Sequence, residues 1–342
     1  MLRVPFPELE LAFRAALEPF GFTPEGSALT ARIFAETTCD GVYTHGLARF
    51  PRFIKAIQLG VVDPSAEPSV IASFGAIERW DGRCGAGVLN AHAAMNRAMQ
   101  LAREHGLGAV FLANTNHWMR GGTYGWQAAN AGLFAICFTN TLANLPAWGT
   151  AVPSLGNNPL VLAVPRPQSQ NVVLDMAMSQ YSYGTLGAYK ARGEQLPYPG
   201  GFDQQGNLTS DPKAITDGPG SGRALPIGLW KGSGLALTLD LFAAMLSGGK
   251  STHEISRDPL RETALSQCFL AIDPTHLATD REALDSTADA ILANLASVEP
   301  MDPTKLARYP GEQTLRTREK NMRLGVPVEE SHWQQLLQRR YE

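Results

Sequence analysis

Cysteine is scarce and scattered: Cys39, Cys84, Cys137 and Cys268 are the only four in 342 residues, and no two share a CxxC spacing. A chain of this length can fold on a hydrophobic core alone, so a disulfide scaffold is excluded and buried free thiols in a reducing cytoplasm are expected. Charge is thin as well, 18% of residues against the roughly 25% usual in soluble domains. Charge this sparse points to surface hidden in subunit contacts. Lys and Arg number 29 and Asp and Glu 32, a net charge of −3 with no block of one sign. That balance gives no footprint for nucleic acid or an anionic membrane. No stretch approaches the roughly 18 consecutive apolar residues of a membrane span. Arg3, Pro5, Pro7, Glu8 and Glu10 open the chain in place of a secretory signal. The protein is expected to be soluble and cytoplasmic.

The common chemical signatures are missing too. Gly85-Ala86-Gly87 and Gly218-Pro219-Gly220 each lack the third glycine of GxGxxG, so a Rossmann fingerprint is unsupported. Gly249-Lys250-Ser251 imitates the end of a P-loop, but position 244 is Ala and a helical pattern precedes it. There is no HExxH or close His/Cys cluster, so no metal site is expected. GxSxG and Tyr-x-x-x-Lys are also absent.

What is present is an apolar share of 44%, enough for one large fold or two modest ones. The first sixty residues carry helical spacing, with Pro7 and Thr23-Pro24 as start signals and a third helix expected from Gly46 to Leu59, capped by Thr44. Ala91 to Glu104 reads as a helix leading into the buried strand Ala109-Val110-Phe111-Leu112. From Asn114 to about Gly222, short apolar runs alternate with Gly, Pro and Asn, the texture of a sheet. Helical pattern returns at Gly234–Leu246, at Thr279–Leu295 and at Val328–Arg340, with Thr279 and Glu282 spaced as a capping box. The expected class is α/β (α+β) and non-Rossmann. Residues 1–120 with 225–342 would form a discontinuous, mainly helical domain, and 121–224 an inserted, sheet-rich one.

Four segments could carry chemistry. If a helix starts near Thr44, His45, Arg49 and Arg52 fall at i, i+4 and i+7 on one face. The helix N-terminus would lower the imidazole pKa, and a guanidinium one turn on could grip a carboxylate with two prongs. Asn114 to Thr123, with His117 and Arg120, follows a strand, where α/β proteins bind ligands. Trp230-Lys231-Gly232-Ser233-Gly234 opens a helix in a phosphate-type arrangement. Asp175 lies inside an apolar strand and needs a partner, whether a sugar hydroxyl, a histidine or a structural cation. Each segment also has a plain structural reading: a capped surface helix, a tight turn, a softened helix start, an ion pair.

Taken in order, these segments resemble the malate/L-lactate dehydrogenase family that lacks a Rossmann fold, over nearly the whole chain. The strings that carry the resemblance are Gly41-Val42-Tyr43-Thr44-His45-Gly46, Arg49-Phe50-Pro51-Arg52-Phe53-Ile54, Asn116 to Gly122, Tyr124 to Ala129, Gly201-Phe202-Asp203 and Trp230 to Gly234. The resemblance implies a homodimer of two-domain subunits with an antiparallel-sheet cofactor domain. It also implies a nicotinamide cofactor, NADH with NADPH as the alternative, lying near the subunit interface. His45 would be the proton donor. Asn171, Val172, Val173, Leu174, Asp175, Met176 and Ala177, with Trp230, Lys231, Gly311, Glu312 and Gln313, would contact the cofactor. The loop Arg166–Gln170 and Gln313 depart from the family pattern. The implied reaction is hydride transfer to the C2 carbonyl of a 2-keto acid, a sugar acid before malate, lactate, ureidoglycolate or a cyclic imino acid. Arg49 or Arg52 would orient its carboxylate, and His117 or Arg120 would complete the pocket. A non-catalytic sugar-acid-binding protein is the reading from outside enzymology.

Overall fold

A computed structural model describes residues 2–218, 221–258, 262–277 and 280–339. The N-terminal helical spacing folds as α1 (Phe6–Leu17), α2 (Pro24–Cys39) and α3 (Phe50–Gln58). α1 buries Leu9, Phe13, Ala16 and Leu17, one stripe of a 3.6-residue repeat. Thr23 caps α2 by accepting the Gly26 N–H at 3.0 Å. Phe13, Phe34 and Phe50 pack edge to face, with centroids 4.8 and 5.0 Å from Phe50 to the other two.

The remaining helices are α4 (Gly87–His105), α5 (Gly122–Asn130), α6 (Tyr183–Arg192), α7 (Pro212–Thr216), α8 (Trp230–Ser247), α9 (Thr252–Ile255), α10 (Arg281–Ser297), α11 (Glu312–Leu324) and α12 (Glu330–Gln338). The strands run β1 (Leu2–Val4), β2 (Ser69–Phe74), β3 (Ile77–Asp81), β4 (Leu107–Thr115), β5 (Phe134–Thr139), β6 (Ala143–Pro146), β7 (Pro153–Gly156), β8 (Leu160–Val164), β9 (Val172–Met176), β10 (Gly201–Phe202), β11 (Leu208–Thr209), β12 (Leu265–Ile272) and β13 (Val326–Val328). The chain's two ends meet where β1 pairs with β13 and Trp333 and Leu336 of α12 join the N-terminal core.

The main sheet has seven strands in the order β2-β3-β4-β12-β5-β8-β9. Only β3 and β4 run parallel; every other neighbouring pair is antiparallel. Period-two alternation divides its residues between two cores. Val110, Leu112, Cys137 and Phe269 pack under α4 and α5, while Phe111, Phe138, Cys268 and Leu270 pack under α8. β12 lies between β4 and β5, so the sheet takes strands from both sides of the expected boundaries at 120/121 and 224/225 and the division passes through it.

The expected helix from Gly46 to Leu59 is corrected. Tyr43–His45 and Leu47–Arg49 are separate 3₁₀ turns, and the α-helix starts only at Phe50. Gly46 lies so close to α2 that a Cβ would stand 2.3 Å from the Thr38 hydroxyl, and that hydroxyl accepts the Leu47 N–H at 3.0 Å. This bond holds the chain out of a continuous helix. Thr44 therefore caps no helix, and His45, Arg49 and Arg52 do not share a helical face. Thr279 of the expected capping box lies outside the described residues. α10 is capped by Asp280, which accepts the Glu282 N–H at 3.2 Å.

Candidate active site

A cleft of about 820 Å³ opens where the α2–α3 connection, the loop after β4, the end of β9 and the start of β12 converge. His45, Arg49, Arg52, His117 and Arg120 all line it, with Asp175, Ala177 and Glu262. Thr139, Thr141, Asn144, Asn157 and Tyr183 add polar groups that the sequence did not single out.

Two imidazoles face one another in this cleft, those of His45 and His117. His117 Nδ1 lies 3.0 Å from the Met119 backbone nitrogen, whose N–H donates to it. The lone pair is therefore on Nδ1, and in the neutral ring the proton sits on Nε2. Met119 bends back in the left-handed region, at φ 62°, to make this bond. Burial, helped by the charges of Arg49 and Arg120, lowers the His45 pKa to about 4. His117 is pushed well down by burial first, then by Arg49, His45 and Arg52. The helix N-terminus expected to lower His45 is absent; desolvation is the main cause.

Arg49 and Arg52 both donate to Glu262 Oε2, at 3.3 and 3.4 Å. Arg120 is buried and donates to Asp40 Oδ2. Asp40 also accepts two bonds from Arg318 of α11, each 2.7 Å. The Arg318 guanidinium in turn lies 5.0 Å over the ring of Trp126. This carboxylate between two guanidiniums ties the end of α2, the cleft loop and α11 together. Asp175 accepts the Gly122 N–H at 2.7 Å at the start of α5 and holds no histidine. Burial raises its carboxyl pKa, with Arg120 and the Gly122 bond acting in the opposite sense.

The segments expected to contact a cofactor border one strand. Asn171 to Ala177 includes β9. The Val173 N–H donates to Pro310 at 3.0 Å, which sets Gly311 beside the start of this strand. The Ile227 N–H donates to Met178 at 2.9 Å and brings Trp230 and Lys231 past its far end. Only Asp175 and Ala177 open into the cleft; Asn171, Val172, Val173, Leu174, Met176, Trp230, Lys231, Gly311, Glu312 and Gln313 lie outside it. Asn171 is engaged internally, accepting the Arg166 N–H and donating to Asn130. Glu312 pairs with Arg316, and Gln313 accepts from Arg308 at 2.6 Å. The stretches thus lie along the sheet's outer edge, and this edge reaches the cleft at Asp175.

Sequence reasoning missed Glu262 and Asp40. Nothing around Glu262 marked it, since its partners lie more than 200 positions away. Asp40 did leave a signal: it is an acid at the C-terminal end of a helix, where the dipole disfavours negative charge, next to the Gly41–Gly46 string.

Comparison with known proteins bears on the family and the fold. The family described as malate/L-lactate dehydrogenase matches residues 4–337. The 2,3-diketo-L-gulonate reductases of Citrobacter koseri and Escherichia coli strain K12 are each 42% identical over 332 residues, covering 97% of this chain and 98% of theirs. The sulfolactate dehydrogenase of Methanocaldococcus jannaschii superposes with a TM-score of 0.89 at 26% identity, over 99% of this chain and 96% of that one. The delta1-piperideine-2-carboxylate reductase of Pseudomonas syringae gives 0.88 at 27%, over 99% and 100%.

Proposed function

The chain belongs to the malate/L-lactate dehydrogenase family and is an oxidoreductase acting on a CH–OH group, and from that premise we propose that it reduces the C2 carbonyl of 2,3-diketo-L-gulonate to 3-keto-L-gulonate with His45 as proton donor. The observation that carries this reading is the setting of His45. It feels the charges of Arg49 and Arg120, is stacked on a second imidazole, and among the described residues no carboxylate bonds to it.

Arg49 and Arg52 present guanidinium donors for the substrate carboxylate. His117 offers its Nε2–H to a neighbouring oxygen, a fit for a second carbonyl at C3. When bound along β9, with Gly311, Glu312, Trp230 and Lys231 at the ends of that strand, a reduced nicotinamide supplies the hydride. His45 is neutral at neutral pH in the free cleft. A substrate carboxylate beside Arg49 cancels part of the positive field that keeps it so, and its affinity for a proton rises. The imidazolium then protonates the oxygen as the carbonyl is reduced. In the reverse direction the neutral ring is already the base. Arg120, locked by Asp40, stays rigid through the cycle.

NADH is the proposed reductant, as the family resemblance implies, with NADPH as the alternative. A homodimer is proposed from α8. Its Ala236, Leu239 and Ala243 are buried on the sheet, yet Leu237, Leu241, Phe242 and Met245 on its other side are 48 to 75% exposed. A helix apolar on all sides calls for a cover, and a second copy of the same face supplies one. No helix among the described residues is long and apolar enough to cross a membrane. The four cysteines are free thiols, which supports a reducing, cytoplasmic setting.

The direct test follows NADH and NADPH absorbance with 2,3-diketo-L-gulonate, oxaloacetate, pyruvate and a cyclic imino acid. Reduction of the diketo sugar acid well above the rest is expected. Oxidation of neither cofactor with any of them would end the proposal.

A further inference from the structure

We infer that Glu262 selects for the charge of the substrate, admitting a 2-keto acid with one carboxylate and an uncharged hydroxylated tail and turning away one with a second carboxylate. The inference rests on the reductase reading above and adds the residue that discriminates.

The Glu262 side chain is 13% exposed, and Arg49 beside it 20%. With Arg52 they form a wall shared by the main cleft and a side cavity of about 310 Å³. A single oxygen of Glu262 faces both guanidiniums, at 3.3 and 3.4 Å, longer than the roughly 2.7–2.9 Å of a tight charge-assisted bond. Each guanidinium carries five donors, so most remain for a ligand. Two positive charges and one negative leave one unmatched, the complement of one substrate carboxylate.

Among the described residues, no second counter-charge waits elsewhere in the cleft. Arg120 is matched by Asp40, which also takes Arg318, and Asp175 stands beside Arg120. His45 and His117 are neutral in the free cleft, and the proton that His45 takes up with a first carboxylate is the one given to the carbonyl oxygen. A dicarboxylate entering this cleft would seat one group on the arginines and bring the other into a space whose remaining formal charges are acidic. Removing the charge of Glu262 frees a second guanidinium and opens a second seat.

Gluconate and glucarate are hydroxylated acids of equal chain length with one and two carboxylates. Titration calorimetry on the full chain is expected to show gluconate bound about tenfold more tightly, the size set by one unit charge several ångströms away across a partly screened wall. In Glu262→Gln the preference should vanish or reverse, and Glu262→Asp should retain it. Equal binding of the two acids by the wild-type protein would overturn the inference, as would an unchanged preference in Glu262→Gln. The wild-type comparison decides even if the Gln variant does not fold. Neither titration needs turnover, so a chain that oxidises no cofactor would lose the reductase reading while the gluconate-to-glucarate ratio still judges Glu262.

Discussion

The rings of His45 and His117 lie stacked, with centroids 5.9 Å apart and planes 22° from parallel. Two imidazoles this close cannot both be charged without strong repulsion, and each already feels Arg49. In the proposed reaction the contact divides the work: His117, its Nδ1 tied to the Met119 N–H, stays a neutral donor, and the proton that arrives with an anionic substrate goes to His45.

Replacing His45 with Ala should lower turnover by a factor of about 10² to 10⁴, the usual contribution of a positioned acid. The thermal midpoint should hardly move, because the ring is only half-buried and among the described residues its side-chain bond is to Thr44. Initial rates of NADH oxidation with 2,3-diketo-L-gulonate check the first point and a melting curve the second. Full turnover in the variant removes His45 from the chemistry.

The pH profile should carry the mark of the depressed imidazole. With a pKa near 4 in the free protein, kcat/KM for reduction is expected to fall about tenfold per pH unit from roughly pH 5 to 8, following the imidazolium fraction. Oxidation of the 2-hydroxy acid should show no such fall, and His45→Gln should flatten the reduction profile. Stability moves the other way. Between the ordinary histidine value of 6.5 and about 4 the unfolded chain binds more protons than the folded one, so stability drops as pH falls through that window and returns above it. Urea midpoints measured at pH 4.5, 5.5 and 7 would register the trend.

Asp40→Ala should cost about 3–5 kcal/mol, since it strands Arg120, buried in the cleft wall, and leaves Arg318 without its main partner. Asp40→Asn, of the same shape, should cost less but raise KM, because Arg120 loses its anchor. Urea denaturation with parallel kinetics separates the two effects. A wild-type melting curve for Asp40→Ala would show that the three-residue cluster does not hold these elements together.

Leu241→Asp with Phe242→Asp on the uncovered side of α8 should halve the mass in solution, as read by sedimentation or light scattering. The cleft residues lie off this helix. A wild-type mass for this double variant would place the interface elsewhere.

Much of the site was visible in the chain because its residues sit in short strings bounded by Gly and Pro, where backbone breaks are easy to read. Gly41–Gly46, Phe50–Arg52 and Asn116–Gly122 each mark a turn at an element's end, and the structure brings all three to one cleft. α11 was missed for the opposite reason: Glu312 to Leu324 is nearly all polar and shows no apolar stripe to count. The single helix expected after Thr44 failed on a tertiary contact, since the hydroxyl that captures Leu47 N–H belongs to Thr38, on α2.

Composition and local pattern by themselves indicated the class of the fold and the absence of a Rossmann nucleotide loop and singled out the cleft's histidines and arginines as candidates, all of them properties of neighbours along the chain, while the family resemblance chose among the readings of those candidates. Only the folded chain decided which charges are spent and which are free. Asp40 closes on Arg120 and Arg318, and Glu262 on Arg49 and Arg52, across separations of 80 to 278 positions. Coulomb energy depends on distance in space and on the water excluded between the charges, and linear order records neither.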